Sequence, residues 1–379
     1  SSFANAGVMA PGYVTPWAAP GMPWKVAKHL VQRHAPVTLG MHALGRDLPW
    51  VARWLLACNA KSYALNRTRM QALARYSRER MRHVATIAGL EFERSQGYLV
   101  LLRSAADRKM MQASLQVLRN EGIAFAELDE TATRLVEPAL NPDTRFHGAI
   151  HLPDDEVGNC RQFALLLKSA AMARGTRFEF NTEVDKLRAV PQGLELQVRS
   201  HSTARFFDAC VICAGAEASR LLQPIGVTVP LAPIYGYSVS AHVKEPLNAP
   251  RSGVMDERYK IAISRLGQRV RVAGSAELGG RAGLMKPAAL QTLYKVLQDW
   301  FPGAAVMSSG VQQWKGARPM LPDGPPVLGA CRVPGVWLNL GHGSSGWALS
   351  CGSARVLADT IAGRPTAVDL TGFSVERFK

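Results

Sequence analysis

Apolar residues recur every three or four positions through much of this chain, and between Trp24 and Gly89 this spacing predicts helices. Elsewhere the apolar positions alternate or form short runs that are typical of strands. Further helices are predicted at 107–120, 131–137, 160–174, 284–300 and 347–362. Strands are predicted at 97–102, 125–128, 148–152, 177–180, 183–189, 194–199, 206–213, 235–243, 259–265, 269–274 and 336–340.

Helices that stand between strands indicate a partly parallel sheet, and the closely spaced strands after residue 176 add antiparallel hairpins. The sequence therefore predicts a mixed α/β fold. The first stretch, Ser1 to Pro23, has neither period but contains apolar residues such as Tyr13 and Trp17. We expect it to be an ordered loop or strap that covers other parts of the protein.

The 379 residues suffice for a large core, whereas no run approaches the roughly 20 apolar residues that cross a bilayer. The best candidate, Leu48 to Cys58, is interrupted by Arg53. Six scattered cysteines indicate a reducing compartment rather than a disulfide framework. Cys210 and Cys213 have the spacing of a redox or metal pair, but their apolar surroundings favour two buried core thiols, so no metal site is predicted.

The formal net charge of +16 is unevenly distributed. Between Trp24 and His83 there are twelve Lys or Arg residues, and the only acids are Asp47 and Glu79. Helices with such a basic face can dock on anionic lipid, but they can equally stay solvated and only aid solubility. Zinc-finger, RRM and KH signatures are absent from the sequence, so no nucleic-acid partner is predicted.

Three segments have the composition of a ligand site. Residues 336–353 form a predicted strand, a glycine-rich turn and a helix, whose amide groups suit an anion or a polarised carbonyl. Residues 209–222 repeat the strand-to-helix join around Ala214 and Gly215, which alone is a weak signal. In residues 314–329 several prolines surround Arg318, which suits it to grip a carboxylate unless it simply pairs with an acid such as Asp323.

Taken together these motifs resemble a known family. The segments 1–21, 256–265, 316–324 and 341–347 are similar to the small-subunit type of bacterial D-amino acid dehydrogenase, within the D-amino acid oxidase superfamily of FAD enzymes. The likeness spans essentially the whole chain. It implies a Rossmann-like domain that binds FAD, interleaved with an antiparallel substrate domain with added helices. The expected bounds are 1–23, 148–226 and 312–379 for the FAD domain, and 24–147 and 227–311 for the substrate domain.

The resemblance also implies the site. The cofactor would meet the strap, the start of one strand, the join after a second strand, and the glycine-rich turn with the helix start. These residues are Ser1, Ser2, Asn5, Ala6, Gly7, Val184, Ala214, Gly215, Gly341, His342, Gly343, Ser344, Ser345, Gly346 and Trp347. Arg318 would hold the substrate carboxylate, assisted by Tyr259 or Tyr237, between which the sequence does not choose. His342 is interpreted as a loop residue rather than as a base.

The implied reaction transfers a hydride from the α-carbon of a D-amino acid, such as D-alanine, to flavin N5. Water then hydrolyses the imine to a 2-oxo acid and ammonia, and the electrons pass to a quinone or another acceptor. The expected location is the cytoplasm, with a peripheral contact on the inner face of the bacterial inner membrane as a further hypothesis. The nearest alternative is a related FAD enzyme that acts on glycine, sarcosine or hydroxyproline.

The family also has about 40 residues before the position of Ser1, which form a strand, a Gly-x-Gly-x-x-Gly turn, a helix and a second strand. This sequence does not contain them, so we expect the Rossmann-like domain to be incomplete at its N-terminus. A strand of that segment is expected at the centre of the sheet. A chain that binds no flavin and is not catalytic is therefore a second alternative.

Overall fold

A computed structural model describes residues 2–29, 34–40, 42–43, 45–199 and 203–379. Its helices are α1 (Met22–His29), α2 (Leu48–Ala57), α3 (Ala60–Ile87), α4 (Ala105–Asn120), α5 (Glu130–Val136), α6 (Cys160–Met172), α7 (Ala218–Leu222), α8 (Pro287–Trp300) and α9 (Gly346–Ile361). Its strands are β1 (Val8–Met9), β2 (Val37–Leu39), β3 (Arg94–Leu102), β4 (Ala126–Leu128), β5 (Gly148–Gly158), β6 (Val184–Val190), β7 (Gly193–Val198), β8 (Arg205–Phe207), β9 (Cys210–Ile212), β10 (Ala232–His242), β11 (Gly253–Asp256), β12 (Ile261–Leu266), β13 (Arg269–Leu278), β14 (Gln312–Met320), β15 (Val327–Ala330) and β16 (Val336–Leu340).

The strands form three sheets. The largest has ten strands in the order β1-β5-β3-β11-β12-β13-β10-β14, with β2 added beside β13 and β4 beside β5. Its mainly antiparallel strands include the parallel pairs β3–β11 and β2–β13. The smaller sheets are β15-β16-β9, in which β16 and β9 run parallel, and the antiparallel β6-β7-β8. The mixed α/β class is confirmed, and the division into two interleaved domains stays a prediction.

The ten-stranded sheet has two different faces. On one face, Tyr237, Val239 and Val272 pack with the buried side of α8, for example with Leu293. On the other face, the strap (residues 2–21) crosses the sheet, and its first strand β1 pairs with β5. Much of the strap is buried, for example Ala10 and Val14, so the expectation of a covering strap is confirmed.

Several elements depart from the sequence predictions. Residues 177–180 form no strand; within the described chain they lack a neighbouring strand, and Phe178 and Phe180 are exposed and stacked on each other. The single strand predicted over 206–213 is divided into β8 and β9, which join different sheets. Residues 153–158 continue β5 rather than leaving it, and β11, β14 and β15 were not predicted. A strand needs a neighbour for its hydrogen bonds, and sequence periodicity does not show where that neighbour lies.

The prediction that Cys210 and Cys213 are both buried is wrong. Cys213 is exposed and Cys210 is partly buried, and both thiols are free. Strand β9, which carries Cys210, lies at the edge of its sheet within the described residues, so this part of the chain is less enclosed than its apolar sequence indicates. None of the described helices is long and apolar enough to cross a membrane.

A buried ion pair fixes the end of β11 against α8. Asp256, 1% exposed, accepts hydrogen bonds from Arg103 Nε (2.7 Å), Trp300 Nε1 (2.7 Å) and the amide of Tyr259 (3.1 Å). Arg103 also donates to Asp299 at 2.7 Å.

Replacing Asp256 with Ala should lower the free energy of unfolding by about 3 kcal/mol, because the Arg103 charge and the Trp300 N–H lose their buried acceptor. Asp299 still partners Arg103, which keeps the loss at the lower end of the range for broken buried pairs. Urea unfolding measures the change, with the exposed Asp143→Ala as control, expected within about 0.5 kcal/mol of the parent. A loss of less than about 1 kcal/mol in Asp256→Ala would contradict this account.

Candidate functional site

The face of the ten-stranded sheet that lies under the strap, called the strap face here, is lined by small side chains. Strand side chains alternate between faces, and directly opposed residues share a face. In the registers of β10, β12, β13 and β14, Arg318 therefore shares this face with small residues and with Arg271. The small residues are Gly236, Ser238, Ser240, Ala262, Ser264, Ala273 and Gly316. The Trp314 ring covers Gly316 and the Arg318 guanidinium covers Gly236, so the two glycines make room for these side chains.

The strap is fastened to the large sheet at three of the residues predicted to meet the cofactor, two of them through side chains of the strap face. Arg271 Nη1 donates to Asn5 O at 3.1 Å and Ser264 Oγ donates to Ala6 O at 2.7 Å. The amide of Gly158 donates to Gly7 O at 2.8 Å. Backbone is thus held close over the strap face. Of the two residues before this segment, Ser2 is exposed and Ser1 lies outside the described residues.

Arg318 is the unusual charge of this site. Its guanidinium lies over Gly236, where any Cβ would clash with it, and Nη1 donates to Ser275 O at 2.9 Å. In the described chain, no carboxylate lies within 4 Å of it to form a salt bridge. Burial lowers the pKa of Arg318 to about 10, so the group stays positive at neutral pH. A desolvated cation without an acid strongly favours an anionic ligand.

The alternative that Arg318 pairs with Asp323 is wrong. Asp323 lies beyond the end of β14, where it accepts hydrogen bonds from Arg377 Nε at 2.7 Å and from Nη2 at 3.3 Å. Asp323 follows the last residue of β14, Met320, by three positions. Its carboxylate faces the C-terminal segment that carries Arg377. The arginine is therefore left without the acid that lies nearest to it in sequence.

Neither candidate tyrosine is brought to Arg318. Tyr237 lies on the opposite face of β10, and its hydroxyl donates to Glu277 at 2.6 Å. Burial, and then this carboxylate, raise the pKa of Tyr237 well above its ordinary value. The ring of Tyr259, between β11 and β12, instead contacts Arg103, with the guanidinium 5.0 Å from its centroid. A role for either tyrosine at the substrate stays a prediction without support from these contacts.

The glycine-rich turn does come next to the strand of Arg318. His342 forms a bridge with Met320, which is two residues beyond Arg318 on β14. Gly341 and Gly343 have φ of 78° and 57°, and side chains there would also clash with Leu321 and Met320, so this close approach requires glycine. Helix α9 begins directly after the turn without a side-chain cap, which leaves its first amide groups available.

Two side chains of this turn face inward. His342 Nε2 lies 3.0 Å from Ser353 Oγ, so the ring links the turn to the second turn of α9. Burial lowers the pKa of His342 to about 4, which makes it neutral at physiological pH and supports its interpretation as a loop residue. Trp347 packs against Phe92 and Phe163, and its buried Nε1 has no partner within the described residues. Ser344, Ser345 and Gly346 complete the turn and open the helix.

A second turn leaves the same edge of the small sheet. Strands β9 and β16 run parallel, with Ile212 opposite Leu338, so the joins that follow them emerge side by side. Ala214 is exposed and Gly215 has a φ of 57° with open space on its side-chain position. Val184, at the start of β6, has its carbonyl engaged by Arg220 Nη2 at 3.0 Å. The Val184 carbonyl is therefore already occupied, which leaves the Val184 amide as its backbone group for a cofactor.

Sequence reasoning missed the floor of the site. Arg271, Ser264 and Gly236 hold the strap or make room for Arg318, yet none was predicted as a site residue, although Ser264 lies within the segment 256–265. The alternation of small residues at Gly236, Ser238 and Ser240 was the available signal. Among the described residues, no cluster of His, Cys, Asp and Glu is arranged to hold a metal ion.

Comparison with known proteins identifies the family of this arrangement. Residues 1–360 match the FAD dependent oxidoreductase family, DAO. A D-amino acid dehydrogenase of Bradyrhizobium diazoefficiens is 40% identical over 381 residues, covering 100% of this chain and 90% of the relative. A D-amino acid dehydrogenase of Rhodopseudomonas palustris is 38% identical over 382 residues, covering 100% of this chain and 89% of the relative.

Solved structures share the fold. Glycine oxidase from Geobacillus kaustophilus superposes with a TM-score of 0.73 at 23% identity, over 81% of this chain and 83% of that protein. Iminodiacetate oxidase from Chelativorans sp. BNC1 also gives a TM-score of 0.73, at 20% identity, over 99% of this chain and 89% of that protein. At these identities the likeness establishes the fold alone.

The pKa of His342 predicts a pH dependence of stability. Because the folded pKa lies below the ordinary value near 6.5, the unfolded chain takes up a proton first as the pH falls. Stability is therefore complete above about pH 6.5 and declines toward pH 4, by up to about 3 kcal/mol at about 1.4 kcal/mol per pKa unit. Urea unfolding of the parent and of His342→Gln at a series of pH values measures this. Between pH 6.5 and pH 4 the free energy of unfolding should fall less steeply in the variant than in the parent. Substitution of the exposed His83 by Gln is the control; equal slopes for the parent and His342→Gln would refute the assignment.

Proposed function

Because this chain belongs to the FAD dependent oxidoreductase family, we propose that it oxidises D-amino acids such as D-alanine to 2-oxo acids and ammonia. The relatives named D-amino acid dehydrogenase match this chain over its full length. The observation that carries the proposal within the structure is the buried guanidinium of Arg318. It lies on the strap face beside the glycine-rich turn, and no acid among the described residues neutralises it.

The residues present fit the flavin end of FAD. The strap face is built from small side chains, the strap backbone is fastened above it at Asn5 and Ala6, and the uncapped start of α9 supplies amide groups beside β14. We assign this role to the following residues: Ser2, Asn5, Ala6, Gly7, Gly341, His342, Gly343, Ser344, Ser345, Gly346 and Trp347. Ala214, Gly215 and the Val184 backbone would meet the nucleotide end.

The protein's own groups bind and orient the substrate. When bound, FAD supplies the two-electron acceptor for the hydride released from the α-carbon. Arg318 takes the substrate carboxylate through parallel hydrogen bonds, which fixes the position of the α-carbon above the strap face. Beneath it, Ser238, Ala262 and Ala273 contribute only short side chains. Neutral His342 keeps the turn against α9 and does not need to accept a proton.

The acceptor of the electrons is a quinone or another carrier, and the basic helices supply a surface from which a membrane-dissolved acceptor can be reached. We define the α1–α2 surface by its exposed apolar and cationic residues: Trp24, Lys25, Lys28, Leu48, Arg53, Leu55, Leu56 and Lys61. Leu56 is 79% exposed and Trp24 67%. Asp47, the acid nearest to it in sequence, is buried and paired with Arg46. Apolar groups surrounded by cations are complementary to anionic lipid.

Substitution of Arg318 by Met should reduce kcat/KM for D-alanine by roughly 100- to 1,000-fold, because the substrate carboxylate loses its charged partner. The folded state should be as stable as the parent or more so, since a desolvated charge is removed. Arg318→Lys should retain part of the activity. Steady-state kinetics with a soluble acceptor measure these effects, with the exposed Arg188→Met as control.

Three outcomes would contradict the proposal, two of them from these kinetics and one from the visible spectrum. Flavin-loaded Arg318→Met with kcat/KM within about fivefold of the parent would remove Arg318 from the substrate site. Parent enzyme that oxidises glycine, sarcosine or hydroxyproline but not D-alanine would move the activity to a related amine. A purified full chain without the visible absorption of oxidised flavin, even after incubation with FAD, would favour the non-catalytic alternative.

Replacing Leu55 and Leu56 with Glu should weaken binding to phosphatidylglycerol vesicles by about tenfold or more, because apolar contact is lost and two negative charges are added. The buried face of α2, with Trp50 and Trp54, is unchanged by the substitutions. Vesicle sedimentation measures binding, and turnover with a soluble acceptor should be retained. Leu247→Glu, at a site that is 84% exposed outside this surface, is the matched control. A parent protein without preference for phosphatidylglycerol over phosphatidylcholine would eliminate membrane docking.

A further inference from the structure

Two buried polar side chains on α3 have hydrogen-bonding groups that no other described residue satisfies. Arg67 is 3% exposed and Gln71 is fully buried. They are four residues apart and therefore lie one above the other on the same side of the helix. Neither belongs to a motif of the family resemblance or to the strap face.

Arg67 has no counter-ion among the residues that the structure describes. Its Nη1 donates a long hydrogen bond of 3.3 Å to the hydroxyl of Tyr63, and the guanidinium lies 5.8 Å from the centroid of that ring. Its Nε is buried without an acceptor in the described chain, which also places no carboxylate within 4 Å of the group. Burial lowers the pKa of Arg67. By contrast Arg75, two turns further along α3, is paired with Glu121 at 2.8 Å.

Gln71 adds both a donor and an acceptor to the same place. Neither its Nε2 nor its Oε1 has a partner among the residues that the structure describes. Leaving a buried polar group unsatisfied costs about 1–3 kcal/mol, and native proteins keep few such groups. A Leu or Met at either position would avoid this cost, so the polar side chains are suited to an occupant rather than to packing.

The strap lies against this part of α3. Val14 of the strap packs in one cluster with Met70, Leu73 and Ala74, which flank Gln71 along the helix. Asn66, one residue before Arg67, donates to Asp323 O at 3.1 Å, so α3 also contacts the turn that follows β14. The pair therefore lies between structural elements that themselves border the Arg318 site, while using none of its residues.

We propose that Arg67 and Gln71 form a second binding site, for a small molecule that carries both a carboxylate and an N–H donor. The guanidinium fork and the Gln71 amide N–H suit the two carboxylate oxygens. The Gln71 carbonyl then accepts a hydrogen bond from the ligand's amine. An α-amino acid carries both groups on its α-carbon, whereas a simple carboxylate satisfies only the donors.

Equilibrium dialysis of labelled glycine against the FAD-loaded full chain, without an electron acceptor, tests the site. The parent should bind two glycine molecules, and Arg67→Met and Arg318→Met should each bind one. Gln71→Leu should bind glycine at this site about tenfold more weakly and lose its preference for glycine over propionate, because the acceptor for the amine is gone. If the parent lacks only the glycine molecule expected at Arg318, the result counts against the proposed function and not against the Arg67–Gln71 site.

Stability measurements separate a binding role from a structural one. Arg67→Met and Gln71→Leu should unfold at the same temperature as the parent or higher, since each removes an unsatisfied buried polar group. Arg75→Met is the matched control: it should lower the unfolding temperature by breaking the pair with Glu121, and it should leave two glycine molecules bound. The proposal is overturned if the parent binds only the Arg318-dependent molecule. It is also overturned if Arg67→Met retains both molecules, whatever its stability.

Discussion

A cation taken out of water is tolerated only where an opposite charge or strong acceptors replace its hydration. Within the described part of the chain, Arg318 on the strap face has the carbonyl of Ser275 as its partner and no carboxylate. The rest of the site follows from accommodating this group. Gly236 is needed beneath the guanidinium, Ser275 O orients it, and Asp323 is turned away to Arg377. The protein thus keeps a positive charge that an incoming carboxylate can neutralise.

The two faces of the large sheet differ: the strap face carries Arg318, and the opposite face belongs to the packed core. Its other face packs α8 through residues such as Leu293 and Trp300, both fully buried. Asp256 and Arg103 close that side with a satisfied ion pair. Because that side is well packed and its charges are paired, the strap face can carry small side chains and unpaired cations.

Elements that depend on a local pattern of residues could be predicted from the sequence. Elements that depend on pairing with a strand distant in sequence could not. The helical period of α3 and the strand-turn-helix of β16 and α9 were recognisable because each is encoded by adjacent residues, whereas β14, the strand that carries Arg318, was not predicted. The false strand at Phe178 and the unrecognised β11 show the opposite case, since pairing depends on which strand lies alongside. Likewise, Tyr237 had a suitable side chain, but its register on β10 turns it toward Glu277.

Helix α2 relates the site to the α1–α2 surface. On its inner side, the buried Trp50 donates from Nε1 to the carbonyl of Met320 at 3.0 Å, two residues from Arg318 and at the residue that bridges His342. On its outer side, Leu55 and Leu56 are exposed. A single layer of helix therefore separates the end of β14 from the most apolar part of the basic surface. Under the proposed docking, an acceptor dissolved in a membrane approaches across this helix, and Trp50 links the α1–α2 surface to the strand that carries Arg318.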